Sequence, residues 1–317
     1  MTRPARATAL HDGVAALLER ATELAARRPS PPWLQRLRTA GVSGSERLGF
    51  PSTNDEEWRF TNLAPLTRSA FALSPDEVSL AERTAALELE ARLGPLGLSS
   101  PEPRIVFVNG RLLRRSPGGL TAAILFECLK NVLATSPERV ERALVAGAAA
   151  RDEFFGSLGD AFLDEGVVLQ VPAGAHLEEP LFILHVSTSP GSTVPPRMVH
   201  TRNLFTFEEN SSATVVEAYL GANGPSFTNA RTDVTLAKGA RLHHVKLQLE
   251  GPETFHVGQL AVAHAAGAHA TSHVFSFGGK LVRNEIAMTL RGEGSSTELN
   301  GLFCAASGQH VDCHTLI

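Results

Sequence analysis

The sequence predicts a mainly β fold. A β-solenoid over residues 166–317 follows a mostly helical N-terminal domain, residues 1–165, that carries a small β-hairpin. Three observations predict it. Charged side chains number 41 in residues 1–165 and only 21 in residues 166–317. Histidine goes the other way: His11 is alone in the first part and the other eleven lie from His176 onward. From Gly166 the apolar pattern shortens from helical steps to short strand-like runs, and one kind of turn keeps returning.

The chain has 317 residues, longer than one hydrophobic core usually organises, so two domains are expected. With 43% hydrophobic and 20% charged residues it is not a disordered chain. The 29 basic and 33 acidic residues balance to −4, which points to neither nucleic acid nor an anionic membrane as partner. Cys128, Cys304 and Cys313 are too few and too scattered for a disulfide framework, as in a reducing compartment. His11 and Asp12 interrupt any signal-like apolar stretch, and the most apolar run, Leu120–Leu129, contains Glu127. A membrane helix needs about 20 apolar residues. The expectation is a cytoplasmic protein.

In the first part, Leu10, Val14, Leu17, Leu18, Ala21 and Leu24 recur at helical steps between Thr8 and Arg28. Pro31-Pro32 interrupts, and Trp33–Leu37 starts a second, short helix. Residues 78–94 predict a third. Ser136-Pro137 opens a fourth, with Ser136 at the N-cap and Pro137 at the first helical position. Cys128 falls in an apolar helical pattern and reads as core. Between these helices, Arg104–Arg115 predicts a hairpin, because Ile105, Phe107 and Val108 favour strand and Asn109-Gly110 suits a turn with positive φ.

The second part carries turns that resemble one another: VPAGAHL, ENSSATV, AKGARLHHV, AAGAHATSHV and GEGSSTEL. Aligning Ser212-Ala213, Gly239-Ala240, Gly267-Ala268 and Gly294-Ser295 gives steps of 27, 28 and 27 residues. Gly174-Ala175 lies 38 residues before Ser212, with the Pro/Ser-rich segment Ser187–Pro196 supplying the excess. A fixed period in this range, too short for strand plus long helix, is the mark of stacked coils that share one interior. An antiparallel sandwich also spaces strands evenly, but it does not require one repeated turn.

Among chemistry-bearing residues, His264, His269 and His273 cluster in sequence, and His310 and His314 flank Val311-Asp312-Cys313. Imidazole and thiolate are ligands for zinc, iron or copper. In a strand, however, His310, Asp312 and His314 share one face while Cys313 takes the other. Asp55, Glu56 and Glu57 before Trp58 read as a helix start docked by its aromatics rather than as acid–base machinery. There is no phosphate loop and no GxSxG elbow. Two other function classes stay open at this level. A polysaccharide-active β-helix enzyme would need carboxylates in a groove, and residues 166–317 hold only Asp233 and Asp312 as aspartates, with Glu178-Glu179 and Glu208-Glu209 beside turns. A His-based metal-binding β protein would rest on the histidines alone.

Pro51–Leu63 (PSTNDEEWRFTNL), Ile105–Leu112 (IVFVNGRL), Leu158–Pro180 and the final GLFCAASGQHVDCHT together resemble the SufB/SufD family of iron–sulfur cluster assembly scaffolds. The helical start and the hairpin bring the chain closer to SufD than to SufB. The resemblance implies a helical domain followed by a right-handed parallel β-helix, and a non-catalytic subunit. It implies pairing with a SufB-like β-helix subunit and a SufC-like ABC-type ATPase. A nascent Fe–S cluster then belongs to the complex, with no cofactor on this chain alone. Family members continue past QHVDCHT, so the chain is expected to lack the C-terminal part that holds the cluster-forming residues. His310, Cys313 and His314 are the only local ligand candidates, and no catalytic residue or firm metal ligand is assigned.

Overall fold

The computed structural model of the chain describes residues 17–25, 30–69, 71–98, 102–149, 153–189 and 195–317. The described chain forms two compact units, one from 1–71 with 130–164 and one from 72–129 with 165–317. The compositional break near Gly166 is therefore not a single cut. Segment 72–129, which carries the predicted hairpin, is built into the β unit.

The first unit is helical. It holds α1 (17–25), α2 (Pro32–Leu48), a 3₁₀ turn at Glu56–Trp58 and α3 (Ala64–Thr67). After α4 (Leu80–Glu90), which belongs to the β unit, come most of α5 (Leu129–Thr135), α6 (Glu138–Ala149) and α7 (Phe154–Ala161). Residues 8–16 and 26–28 of the first expected helix lie outside the described residues. Helix α2 runs well past the short helix expected at Trp33–Leu37, through Gly41, Ser43, Gly44 and Ser45. Small residues weaken a helix locally, but here they let α7 come close. A Cβ on Gly41 would stand 2.5 Å from the Ala161 nitrogen and 2.7 Å from the Ser157 carbonyl oxygen. Arg38, buried, donates to the Leu163 carbonyl from Nε at 3.0 Å and Nη2 at 2.6 Å, filling an acceptor beyond the end of α7. Trp58 of the DEEWRF motif is buried 5.3 Å from the Phe155 ring, while Phe50 sits 4.4 Å from Phe154.

The second unit is a parallel β-helix of about four turns. Its strands are β1 (Ala72–Leu73), β2 (Arg104–Val108), β3 (Arg111–Ser116), β4 (Leu125–Cys128), β5 (Val167–Val171), β6 (Leu181–Ser187) and β7 (Arg197–Phe207). They continue as β8 (Ser212–Gly221), β9 (Ser226–Leu236), β10 (Arg241–Leu249), β11 (Thr254–His264), β12 (His269–Phe277), β13 (Leu281–Leu290), β14 (Ser296–Cys304) and β15 (His310–Leu316). From β5 onward odd and even strands part into two sheets, ordered β15-β13-β11-β9-β7-β5-β4 and β14-β12-β10-β8-β6-β2-β3, with β4 closing the first and the β2–β3 hairpin the second. Each coil thus gives one strand to each sheet. The hairpin expected at Asn109-Gly110 is present, with φ of 48° and 72° at the two turn residues. Its β2 strand pairs in parallel with β6 and extends the even sheet. Cys128 is buried as expected, but on strand β4 rather than in a helix, because its short apolar run pairs antiparallel with β5.

The repeated turn is real, and its register shows why the coils stack. Gly174, Asn210, Gly239, Gly267 and Gly294 all have left-handed φ, between 55° and 70°. Their amides bond along the stack: Gly174 to Glu209 O, Asn210 to Lys238 O, Gly239 to Ala266 O and Gly267 to Glu293 O, at 2.9–3.0 Å. Asn210, not Ser212, therefore holds the position that glycine holds elsewhere. Aligning small residues slipped this coil by two places, because asparagine also enters the left-handed region at low cost. At the composition break, Gly166 is obligatory: a Cβ there would lie 1.8 Å from the Arg202 carbonyl oxygen.

Near the glycine turns the interior is apolar, filled by residues such as Leu169, Phe205, Val215, Val234, Leu242, Val262 and Ala270. On the outer face of the even sheet, α4 lays Ala86 and Leu89 against Val106, Val108, Leu184 and Val186. A capping box starts that helix, Ser79 Oγ accepting from Glu82 N and the Glu82 carboxylate accepting from Ser79 N.

Candidate functional site inside the solenoid

Side chains alternate along each strand, so residues two apart enter the interior together. On β8 the inward series Ala213, Val215, Glu217, Tyr219 begins apolar and turns polar. On β10 the series Leu242, His244, Lys246, Gln248 does the same. Strands β9, β11 and β13 add Thr232, Thr228, His256, Gly258 and Asn284 from the facing sheet. The half of the interior away from the glycine ladder is thus a buried polar column.

Glu217, 2% exposed, is the first node. It accepts from Thr232 Oγ1 at 2.8 Å, Tyr219 OH at 2.9 Å, Asn203 Nδ2 at 3.2 Å and His244 Nε2 at 3.2 Å. Burial alone raises a carboxyl pKa, but these donors and the neighbouring imidazole outweigh it and hold Glu217 down at about 2. Burial and the adjacent carboxylate push the Tyr219 phenol up. Ser272 Oγ lies 3.0 Å from His244 Nδ1, completing a row Ser272–His244–Glu217. This row has the residue types of a hydrolase triad, but all three are buried at 1–2% exposure, so Ser272 faces no substrate.

Glu250 is the second node. It accepts from His256 Nδ1 and Thr228 Oγ1, both at 2.7 Å, and from Gln248 Nε2 at 3.2 Å. Burial raises its pKa, and the His256 contact with the other two hydrogen bonds brings the net effect below the ordinary value. His185 stacks between Phe107 at 5.0 Å and Tyr219 at 4.8 Å, with neither ring nitrogen hydrogen-bonded within the protein. Burial lowers its pKa to about 4, leaving a neutral aromatic spacer at pH 7.

Lys246 lies between the two carboxylates. Its Nζ donates to Asn284 Oδ1 at 2.7 Å and stands 5.4 Å from the Tyr219 ring centre. Burial pushes its pKa down to about 8, with Glu217 and Glu250 limiting the fall. Gly258 makes the room: a Cβ there would lie 2.1 Å from Nζ and 2.9 Å from His256 Nε2. The space beside Lys246, Tyr219, Gly258 and Asn284 holds little more than one water. Chemically, the column stores two anionic carboxylates and one ammonium whose proton exchanges near neutrality.

The sequence candidates fall on both sides of this wall. Cys313 pairs with Asn284 across β13 and β15, and its thiol bonds the Asn284 side chain within the field of Lys246. Burial raises its pKa, which favours the thiol over the thiolate. His310 and His314 lie on the opposite face. There Asp312 bonds Arg283, which also reaches Glu285 at 2.8 Å. The structure therefore joins Cys313 to the column and leaves His310 and His314 off it. Likewise His264 points inward while His269 and His273 point outward. Among the described residues no three His, Cys, Asp or Glu side chains converge as a metal site. No described helix is long and apolar enough to cross a membrane. Sequence reasoning missed Glu217, His244, Lys246, Glu250, His256 and Asn284. The usable signal was parity: each lies an even number of residues from an apolar inward neighbour.

Comparison with known proteins agrees with the architecture. A model of the SufBD protein N-terminal region matches residues 15–183, and one of the SUF system FeS cluster assembly SufBD core domain matches 187–317. An iron–sulfur cluster assembly SufBD family protein of Synechocystis sp. is 26% identical over 294 residues, 89% of this chain and 62% of that relative. The iron–sulfur cluster assembly protein SufD of Escherichia coli is 26% identical over 271 residues, 85% of this chain and 59% of that protein. A chloroplastic protein of Arabidopsis thaliana is 24% identical over 288 residues, 90% of this chain and 58% of its own length. The chain thus spans about three fifths of these relatives. With both family models laid end to end over a helical region and a parallel β-helix, this chain belongs to the SufB/SufD family of iron–sulfur cluster assembly proteins.

Proposed function

We propose that the chain acts as a SufD-like, non-catalytic scaffold in a cytoplasmic SUF assembly. It pairs with a SufB-like β-helix subunit and engages a SufC-like ABC-type ATPase, which supplies the turnover. The nascent iron–sulfur cluster is cargo of the complex, held by thiolate and imidazole ligands of the kind such clusters need. The observation that carries this reading is the match of both family models across 15–183 and 187–317.

Within this chain, Cys313 is the local ligand candidate best placed for transfer, since its thiol adjoins the polar column. His310 and His314 lie on the outer face, away from the column. A polysaccharide-active enzyme is the weaker alternative, because Glu217 and Glu250 are buried with their oxygens engaged by protein donors. Affinity purification of the tagged protein from its native cell tests the proposal. Co-purification of an ABC-type ATPase and a second β-helix subunit is expected, and recovery of neither overturns it.

A further inference from the structure

The outer face of the even sheet carries histidines that the interior chemistry does not use. Register places His243, Thr271 and Glu298 in one row across β10, β12 and β14, and Val245, His273 and Asn300 in the row two residues on. His273 is therefore the diagonal neighbour of both His243 and Glu298. The His243 and His273 ring centres are 5.1 Å apart at 76°. His243 and Glu298 are exposed and His273 is half-buried.

What sets this pair apart is its free valence. His176 and His269, on the same face, are each tied through Nδ1 to a serine hydroxyl, Ser212 and Ser296, at 2.8 Å. Among the described residues His243 and His273 have no hydrogen-bond partner and touch each other instead. Partial burial, with His273 and His244 as neighbours, lowers the His243 pKa against the pull of Glu298. Zn–N bonds of about 2.1 Å place two ligand nitrogens about 3.4 Å apart in a tetrahedron, a separation these rings reach by side-chain rotation.

We propose that His243 and His273 form a two-histidine surface site for a borderline divalent transition-metal ion of the Zn²⁺, Ni²⁺ or Cu²⁺ kind. Water fills the rest of the shell, and the Glu298 carboxylate, held by Asn300 Nδ2 at 2.9 Å, adds negative charge beside His243. Imidazole suits these ions, whereas magnesium and calcium prefer oxygen alone. The site stands on this geometry, independent of the family assignment and of the cluster cargo.

The test is calorimetric titration of ZnCl₂ into the chelator-stripped full chain, with Cu²⁺ resonance spectra as a second readout. The intact protein is expected to bind through two nitrogens visible as hyperfine splitting of the copper signal. His243→Ala and His273→Ala should each remove that signal, and Glu298→Gln should weaken Zn²⁺ about tenfold. His176→Ala and His269→Ala should leave binding unchanged. Absence of binding at millimolar metal, or binding indifferent to both His243→Ala and His273→Ala in variants with unaltered circular dichroism, overturns the proposal.

Discussion

Replacing Glu217 with glutamine keeps the side-chain shape and removes its charge. The wild-type carboxylate accepts from Thr232, Tyr219, Asn203 and His244 with 2% of the residue exposed. An amide nitrogen in place of Oε2 faces the Asn203 and Tyr219 donors, so the amide turns its nitrogen toward His244 and loses the charge-assisted bonds. The pKa of Glu217 falls from 4.5 to about 2. At about 1.36 kcal/mol per unit, that shift corresponds to about 3 kcal/mol of folding stability. Because the folded pKa lies below the unfolded one, this contribution is fully present above about pH 4.5 and is lost as pH falls through about 2. Urea denaturation of the β unit should show Glu217→Gln weaker by about 3 kcal/mol at pH 7, with the gap closing in acid. A gap under about 1 kcal/mol at pH 7, or one that persists unchanged at pH 2, would refute the reasoning.

Two further outcomes follow from neighbouring positions. The Lys246 pKa drops from 10.5 to about 8, so between these values the unfolded chain binds a proton that the folded chain does not, and stability from this group rises with pH. Lys246→Met should flatten that rise, read as the difference in denaturation midpoint between pH 7 and pH 10.5. Asn210, with φ 55°, stands in the glycine ladder. Asn210→Gly should leave the melting temperature nearly unchanged, whereas Asn210→Val should lower stability by about 1–2 kcal/mol.

The coils were legible because their turns repeat locally: from Asn210 on, a left-handed residue every 27–29 positions needs no knowledge of what packs where. Even so, Asn210 shifted one coil, since its φ is visible only in the folded chain. The hairpin at Asn109-Gly110 was legible for the same local reason. Helix α2 was not, because Gly41 and Gly44 weaken a helix unless α7 lies against them, and that contact is set by residues more than a hundred positions away. The polar column was hidden by a different effect. A strand with one wet face marks its interior by apolar residues, but β8 buries both faces, Val216, Ala218 and Leu220 outward and Glu217 and Tyr219 inward. Polarity then points the wrong way, and Glu217, His244 and Lys246 read as solvent-facing. The alternation of His310, Asp312 and His314 against Cys313 was readable, since parity along one strand is local. The contact of Cys313 with Asn284 was not, because it spans a coil.

An interior with two carboxylates and a lysine needs a reason, since well-packed apolar residues usually serve stability as well or better. Nearly equal coils raise a problem that apolar packing does not solve. The rows Ala213–Leu242–Ala270 and Val215–His244–Ser272 are adjacent along the same three strands. On the apolar side a slip of two residues would exchange one small hydrophobic contact for another at little cost. On the polar side the same slip would set His244 against Ala213, Lys246 against Val215 and Gln248 against Glu217, drawing His244 away from the Glu217 carboxylate and Glu250 away from Thr228. A buried donor or acceptor left without a partner costs about 1–3 kcal/mol, more when charged. Several such groups fail together, so one register is separated from its neighbours by far more than the apolar half alone provides. Register in turn decides which residues reach the outer faces: His243 beside His273, Arg283 beside Asp312, and Cys313 on the inner wall. The polar column is thus the element that converts a repetitive sequence into one defined set of surfaces.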